Sequence, residues 1–394
     1  MRRRRFVLGC GCVALAGVAH WSGAQERWSM PPRLPRPDPA SDEGGWWSQM
    51  DREEQRLKRS GFLIRDQALN DYVGGIACRL AGAHCPDLRV YLVRTPMFNA
   101  MMAPNGMMQI WSGLLLRMTN EAQLAAVIGH EMGHYFARHS IDQIRTAKTL
   151  TAVGHYLGLA LGAVRLSNTG RIANAADIAL IAGFLAYGRD QEREADRIGL
   201  DLMTQAGYAA LEASRVWEQM LEELRANPDE GDEFWRASIL FASHPPARER
   251  RQTLAELAAS AGTGGRIGEA EYRSVLAAQR PDFVADELKR RKFGETRVLF
   301  ERLLKAVPDD GEIQYALGEA YRIRDGVGDA QGALEAYRKA QAMRGTPPEL
   351  FRSMGLLQRQ LGQRTEAAAS FARYLELKPG ATDAGLVRRY LTSE

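Results

Sequence analysis

Cysteine and histidine are scarce in this chain: four Cys and seven His among 394 residues. So little cysteine rules out a disulfide-dense scaffold and any four-thiolate zinc site. Cys10 and Cys12 lie at the extreme N-terminus, which leaves Cys78 and Cys85 as an even pair. In an oxidising compartment that pair suits a disulfide, and in a reducing one two buried thiols. Charge of one sign is lacking too. Lys and Arg number 52 against 48 Asp and Glu, a net charge of +4 with the basic residues scattered. That balance argues against a nucleic-acid partner, and no nucleotide-binding or nucleic-acid motif occurs. Long apolar runs are also missing. Thr149 to Val164 and Ile172 to Tyr187 are rich in Ala, Gly and Leu, but both are short, and His155 and Asp177 interrupt them. We expect a helical hairpin packed on the rest of the protein, with at most peripheral membrane contact. What remains, 45% hydrophobic and 25% charged, is an ordinary globular balance over a length that suits two or three domains.

Against that scarcity, two histidines fall together in Gly129-His130-Glu131-Met132-Gly133-His134. Imidazoles four apart on a helix share a face, so both can reach one ion, and the Glu between them is placed to take a proton from an attacking water. The local pattern supports a helix. Asn120 with Gln123 three residues on predicts an N-cap and capping box, Leu124, Val127 and Ile128 supply an apolar side, and Gly129 and Gly133 leave a bare strip where another helix can approach.

A zinc site of this kind needs a third protein ligand. His139 stands nine residues past His130, which at about 100° per residue places it on the opposite helix face, so a structural or solvated role is expected for it. The glycine and final histidine of the longer H-E-x-x-H-x-x-G-x-x-H pattern are replaced by Ala137 and Ser140. Glu192 is the better candidate. Glu192, Asp196 and Gly199 follow i, i+4, i+7, so one face carries two carboxylates and then a gap in side-chain volume. Glu192 would bind the metal, and Asp196 would accept a hydrogen bond from a ligand histidine and fix its tautomer.

His130-Glu131-Met132-Gly133-His134 together with Glu192-x-x-Ala195-Asp196-x-x-Gly199 resembles the zinc metallopeptidases of the HtpX and CAAX-prenyl-protease type, and residues 60–394 resemble its soluble periplasmic, BepA-like branch. The resemblance implies one Zn²⁺ per chain held by His130, His134 and Glu192, with Glu131 catalytic. It also implies a role for Ser243-His244-Pro245-Pro246. His244 would help stabilise the developing oxyanion or occupy the open metal position of a resting enzyme, and Arg250 would be structural or support that loop. In the family, the strand after Asn99-Ala100 borders the active site, where a peptide can add as an extra strand.

The rest of the chain sorts around this core. Arg2 to Arg5, the apolar run Phe6 to Ala19 and Ser22-Gly23-Ala24 read as a signal peptide over 1–24, cleaved near Ala24-Gln25, with export to a periplasm. Residues 25–50, with five prolines, are expected to be a linker, and folded structure is expected from near Asp51. Leu69 to Ala83 predicts a helix and Leu88 to Thr95 a strand. Ala100 to Ala103 and Met107 to Trp111 flank the turn Pro104-Asn105-Gly106, a hairpin. The metallopeptidase domain is assigned to 51–262 and a Gly-rich linker to 263–281.

Over 282–394, Phe300, Tyr337 and Phe371 recur at intervals of 37 and 34, with Leu317-Gly318 and Met354-Gly355 before the last two. That is a tetratricopeptide pattern of about three helix pairs plus a final helix near Asp383 to Leu391. The expected fold is thus mainly α: a gluzincin-like helical metalloprotease domain with a small β-sheet, then an α-solenoid. The expected partners are unfolded or misassembled proteins and, through the repeats, an outer-membrane assembly machine. A repeat-based chaperone or adaptor with a latent or structural metal site is the rival reading, and Glu131 counts against it because a structural site needs no base.

Overall fold

The computed structural model describes residues 28–33, 35–146, 188–226 and 247–392. The expected signal peptide, the two Ala/Gly/Leu-rich helices and the His244 loop lie outside the described residues.

Helix α1 (Asp42–Lys58) starts where the Ser41 side chain accepts from the Gly44 N–H and buries Trp46, Met50 and Leu57. Folded structure therefore begins before Asp51, and the expected linker over 25–50 is corrected. The prolines stop at Pro39, and beyond them the apolar residues at 46, 50 and 57 form a helical stripe that a proline count overlooks. Helix α2 (Gln67–Ala81) is capped by Asp66 and ends at Gly82, whose φ of +52° turns the chain into a short 3₁₀ segment, Gly82–Asp87. A Cys78–Cys85 disulfide closes that turn.

Three strands follow: β1 (Arg89–Val93), β2 (Ala100–Met102) and β3 (Met107–Trp111). Their order is β1-β3-β2, with β1 parallel and β2 antiparallel to β3. The turn over 103–106 needs a glycine. Gly106 has φ +86°, and a Cβ there would stand 2.2 Å from the Asp87 carbonyl oxygen. β3 is buried along its whole length, and β2 is left at the edge.

Helices α3 (Ser112–Arg117), α4 (Glu121–Phe136), α5 (His139–Thr146), α6 (Arg189–Gln205), α7 (Leu211–Arg225) and α8 (Ala247–Ala261) complete the first part. Asn120 caps α4, its Oδ1 accepting from the Gln123 N–H at 2.9 Å. The expected capping box closes differently, because Gln123 Oε1 accepts from Thr119 N–H at 2.9 Å instead of reaching back to Asn120. Both amides are drawn the other way by Glu212, to which Asn120 Nδ2 and Gln123 Nε2 donate at 2.8 and 2.9 Å.

Helices α9 (Glu269–Leu276), α10 (Arg280–Lys289), α11 (Phe293–Ala306), α12 (Gly311–Arg324), α13 (Asp329–Gln341), α14 (Glu349–Gln360), α15 (Arg364–Leu377) and α16 (Ala384–Thr392) form the rest. From α10 on they stack as helix pairs resembling a solenoid, with α16 at the end. Phe300, Tyr337 and Phe371 are the buried aromatics of the second helix in each pair. Gly318 and Gly355 make room for two of them, since a Cβ at either would stand 2.5 or 2.7 Å from the Tyr337 or Phe371 ring.

The expected linker over 263–281 is also corrected. Ala122 N–H donates to Ile267 O at 3.0 Å, Arg266 N–H to Gly207 O at 2.8 Å, and Tyr272 Oη to Leu115 O at 2.6 Å. Tyr272 and Leu276 enter one continuous apolar core that runs from Ile64 to Ala316, so the first helix pairs are packed on the part that precedes them. Glycines at 262, 264 and 265 mimic a flexible linker in composition. Gly265 instead lies against Ala209, where a Cβ would stand 2.5 Å from its N.

Candidate active site

The site is made where α4 crosses α6 with almost no side chain between them. A Cβ on Gly133 would come 2.6 Å from Ala195 O, and one on Gly199 would come 2.7 Å from the His130 N. The glycine strips of the two helices face each other, and that contact carries Glu192, in the first turn of α6, to the two histidines of α4. A Gly133→Ala substitution is therefore expected to push the helices apart at a cost of about 1–3 kcal/mol. Metal affinity should fall with it, because the ligands come from both helices. Thermal melting and chelator competition on the variant measure the two effects separately.

His130, His134 and Glu192 are buried, and one donor atom from each lies within 4.8 Å of the others. His130 Nε2 is 3.1 Å from His134 Nε2, while Glu192 Oε1 is 3.3 Å from His134 Nε2 and Glu192 Oε2 is 3.6 Å from His130 Nε2. Ligand atoms each about 2.05 Å from a tetrahedral zinc stand about 3.3 Å apart, so both the spacing and the N, N, O chemistry of this set fit a zinc ion. Glu131 is buried beside His130, outside the ligand set, and lines the same cavity.

Asp196 Oδ1 lies 2.9 Å from His130 Nδ1. With Nε2 given to a metal, the remaining ring proton sits on Nδ1 and is donated to that carboxylate. Arg250 also holds Asp196, its Nε and Nη2 donating at 2.8 and 2.5 Å, and Nη2 lies 3.0 Å from His130 Nδ1, while Nη1 is 3.0 Å from Glu192 Oε2. Its guanidinium is stacked 3.9 Å from the centre of the Trp217 ring. Burial and the nearby Arg250 charge push the His130 imidazole down to about 4, keeping it neutral and able to ligate at neutral pH. Burial alone would raise the Asp196 carboxyl, but the charge and hydrogen bonds of Arg250 outweigh it and hold the group below its ordinary value.

His139 is not where helical periodicity puts it. Helix α4 ends at Phe136 and Arg138 takes a left-handed φ of +59°, so the chain turns and brings His139 back against His134. Its Nδ1 stands 2.9 Å from His134 Nδ1 and its Nε2 3.2 Å from Glu194 Oε2. The opposite-face expectation is thus corrected, while the metal-capable set contains no His139. Trp217 was also missed. It has no motif, though residues 213, 216, 217, 220, 221 and 224 form a legible buried stripe on α7.

Of the residues singled out in the sequence, the structure brings His130, Glu131, His134, Glu192, Asp196 and Arg250 together. Arg250 reaches further in than loop support requires. Cys78 and Cys85 are joined to each other in the disulfide at the end of α2, and His244 falls outside the described residues. No helix among the described residues is long and apolar enough to cross a membrane.

Residues 64–258 match Peptidase family M48. The chain is similar to the mitochondrial metalloendopeptidase OMA1 of Schizosaccharomyces pombe, 30% identical over 190 residues, covering 47% of this chain and 52% of that one. It is also similar to the beta-barrel assembly-enhancing protease of Escherichia coli, 25% identical over 359 residues, covering 81% of this chain and 71% of that one. A third relative is the metalloprotease YcaL of Escherichia coli, 29% identical over 174 residues, with 44% and 63% covered. The chain thus spans about half to 70% of the length of these relatives.

Proposed function

We propose that this protein, whose residues 64–258 match Peptidase family M48, is a periplasmic zinc endopeptidase that cleaves misfolded or stalled outer-membrane proteins and docks on clients or an assembly machine through tetratricopeptide helix pairs. The observation that carries the chemistry is the N, N, O donor set spaced 3.1 to 3.6 Å beside the buried carboxyl of Glu131. A zinc ion bound there supplies Lewis acidity, polarising the scissile carbonyl and making water easier to deprotonate. Glu131 takes the proton of the attacking water as its oxygen bonds to the carbonyl carbon, then delivers that proton to the amine as the C–N bond breaks. Asp196 and Arg250 keep the His130 ring turned for ligation. His244 is proposed as a helper for the developing oxyanion.

The biological setting rests on three supports. The N-terminal 24 residues read as an export signal, the tail is a stack of helix pairs, and the Escherichia coli relative that aligns along most of the chain is by name a protease of β-barrel assembly. The test is to incubate purified protein with a urea-unfolded β-barrel membrane protein, with and without a chelator. We expect fragments that disappear on zinc removal and return on its restoration. Stoichiometric zinc with no cleavage, together with suppressed aggregation, would replace this reading by the adaptor one.

The cavity beside Glu131 makes a sharper prediction about substrates. Its walls are mostly apolar, formed by Phe98, Val127, Leu200, Met203, Val216 and Trp217. A large apolar side chain entering it gains roughly 1.5–3 kcal/mol of burial. Peptides with Leu or Phe adjoining the scissile bond should therefore exceed their Asp counterparts in kcat/KM by about tenfold or more. A peptide library read by mass spectrometry checks this, and indifference to that position would refute it.

A further inference from the structure

The two ligand imidazoles are served differently at their outer nitrogens. His130 faces a carboxylate directly, whereas His134 faces a second imidazole, His139, behind which stands Glu194. We propose that His139 is the positioning residue for ligand His134, and that Glu194 selects the ligating tautomer of His134 by orienting His139; this rests on the metal-site reading above.

The argument is one of proton placement. For His134 to offer Nε2 to a metal, its proton must sit on Nδ1, 2.9 Å from His139 Nδ1. That His139 nitrogen must then accept, so His139 carries its own proton on Nε2 and donates it to Glu194 Oε2 at 3.2 Å. With both imidazoles neutral and His134 Nε2 kept for the metal, this arrangement satisfies all three groups. Reversing it, with His139 Nδ1 as donor, moves the His134 proton to Nε2 and removes the ligand atom. The carboxylate of Glu194 accepts only, so it favours the arrangement that leaves His134 able to ligate.

The backbone commits to this contact. Arg138 holds the left-handed conformation that a side chain seldom adopts, and its guanidinium bonds both carboxylate oxygens of Glu43, on α1, at 2.5 and 2.6 Å. The turn pinned in this way seats the His139 ring edge-on to His134, with centroids 5.0 Å apart, at a buried position. The face of α6 that supplies Glu192 and Asp196 thus has a counterpart in Glu194, two residues from each, which acts on the other histidine through an intermediary.

The test compares full-length wild type with His139→Phe, which keeps a ring and loses the acceptor, His139→Asn, which restores one, and Glu194→Ala. Zinc affinity by chelator competition and the visible d–d spectrum of the cobalt-substituted protein are the readouts, with melting of the metal-free proteins as the control for folding. We expect His139→Phe to weaken zinc about tenfold or more and to change the cobalt spectrum, His139→Asn to recover much of both, and Glu194→Ala to weaken zinc in the same direction by a smaller factor. If His139→Phe does not fold, Glu194→Ala at its half-exposed position decides the matter. Wild-type affinity and spectrum in His139→Phe or, where that variant fails to fold, in Glu194→Ala would overturn the proposal while leaving the zinc site standing. A wild type that binds no zinc would instead remove the metal reading and this one with it.

Discussion

Glu131→Gln is expected to bind zinc as wild type does and to cleave unfolded protein about 10²–10⁴ times more slowly. The ligand set is complete without Glu131, since His130, His134 and Glu192 supply the three converging donor atoms. Glutamine matches glutamate in shape, so the buried wall of the cavity keeps its packing, but an amide accepts no proton at neutral pH. The helix should hold as well, because its cap at Asn120 and its contact with α6 through Gly133 lie elsewhere. Zinc content by elemental analysis and cleavage by gel separate the two properties. Glu192→Gln is the contrast, losing metal and activity together. Activity within tenfold of wild type in a zinc-loaded Glu131→Gln protein would remove the carboxylate from the mechanism and leave the metal to act alone.

What could be read from the sequence is what a helix fixes by itself. His130 and His134, or Glu192 and Asp196, are related by one turn, so spacing alone places each pair on a face. Gly129, Gly133 and Gly199 extend the logic to packing, because absent side chains predict where another helix can come close, and the structure puts these strips together. The β2–β3 hairpin was legible for a similar reason, a glycine required by one turn. Legibility fails where a single backbone angle redirects the chain. Arg138 at φ +59° turns His139 from the far side of α4 to a partner of His134, and nothing in the local residue types announces it. It fails again where composition imitates a linker. Residues 263–268 read as flexible, but their backbone pairs with 122 and with 207–209, contacts made by residues more than 50 positions away.

It fails most completely for a buried ion network that joins the two parts of the chain, and there the second large effect is expected. Arg117, at the end of α3, is buried, with Nε donating to Glu223 of α7 at 2.7 Å and Nη2 and Nη1 donating to Glu287 of α10 at 3.0 and 3.1 Å. Its partners stand 106 and 170 residues away, so no sequence window contains the set. Arg302 also bonds Glu223, and Arg290 and Thr296 bond Glu287 at 2.8 and 3.0 Å. Burial pushes the Glu287 carboxyl up, but the charges of Arg117 and Arg290 and the hydrogen bonds from Arg117 and Thr296 prevail and hold it at about 2.

Arg117→Ala strands both carboxylates in the core, at an expected cost of about 3–5 kcal/mol, with Arg290 and Arg302 holding it toward the lower figure. A protein of this size should lose about 4–6 °C in melting temperature. Replacing all three residues by Met and Leu should recover only part of the loss, because it takes from Arg302 and Arg290 their Glu223 and Glu287 partners.

The pH dependence carries the same signature. A carboxyl whose folded value lies below its unfolded value contributes stability above about pH 4.5, lost as pH falls toward 2. Removing Arg117 raises the folded value, so the variant should show less of that acid-linked decline than wild type does. Urea titrations at pH 7 and pH 3 give both numbers. An Arg117→Ala protein with unchanged stability at pH 7 would mean that water reaches this network and that it adds nothing to the apolar core and the Arg94 ion pairs with Asp282 and Asp286 in holding the catalytic part to the helix pairs.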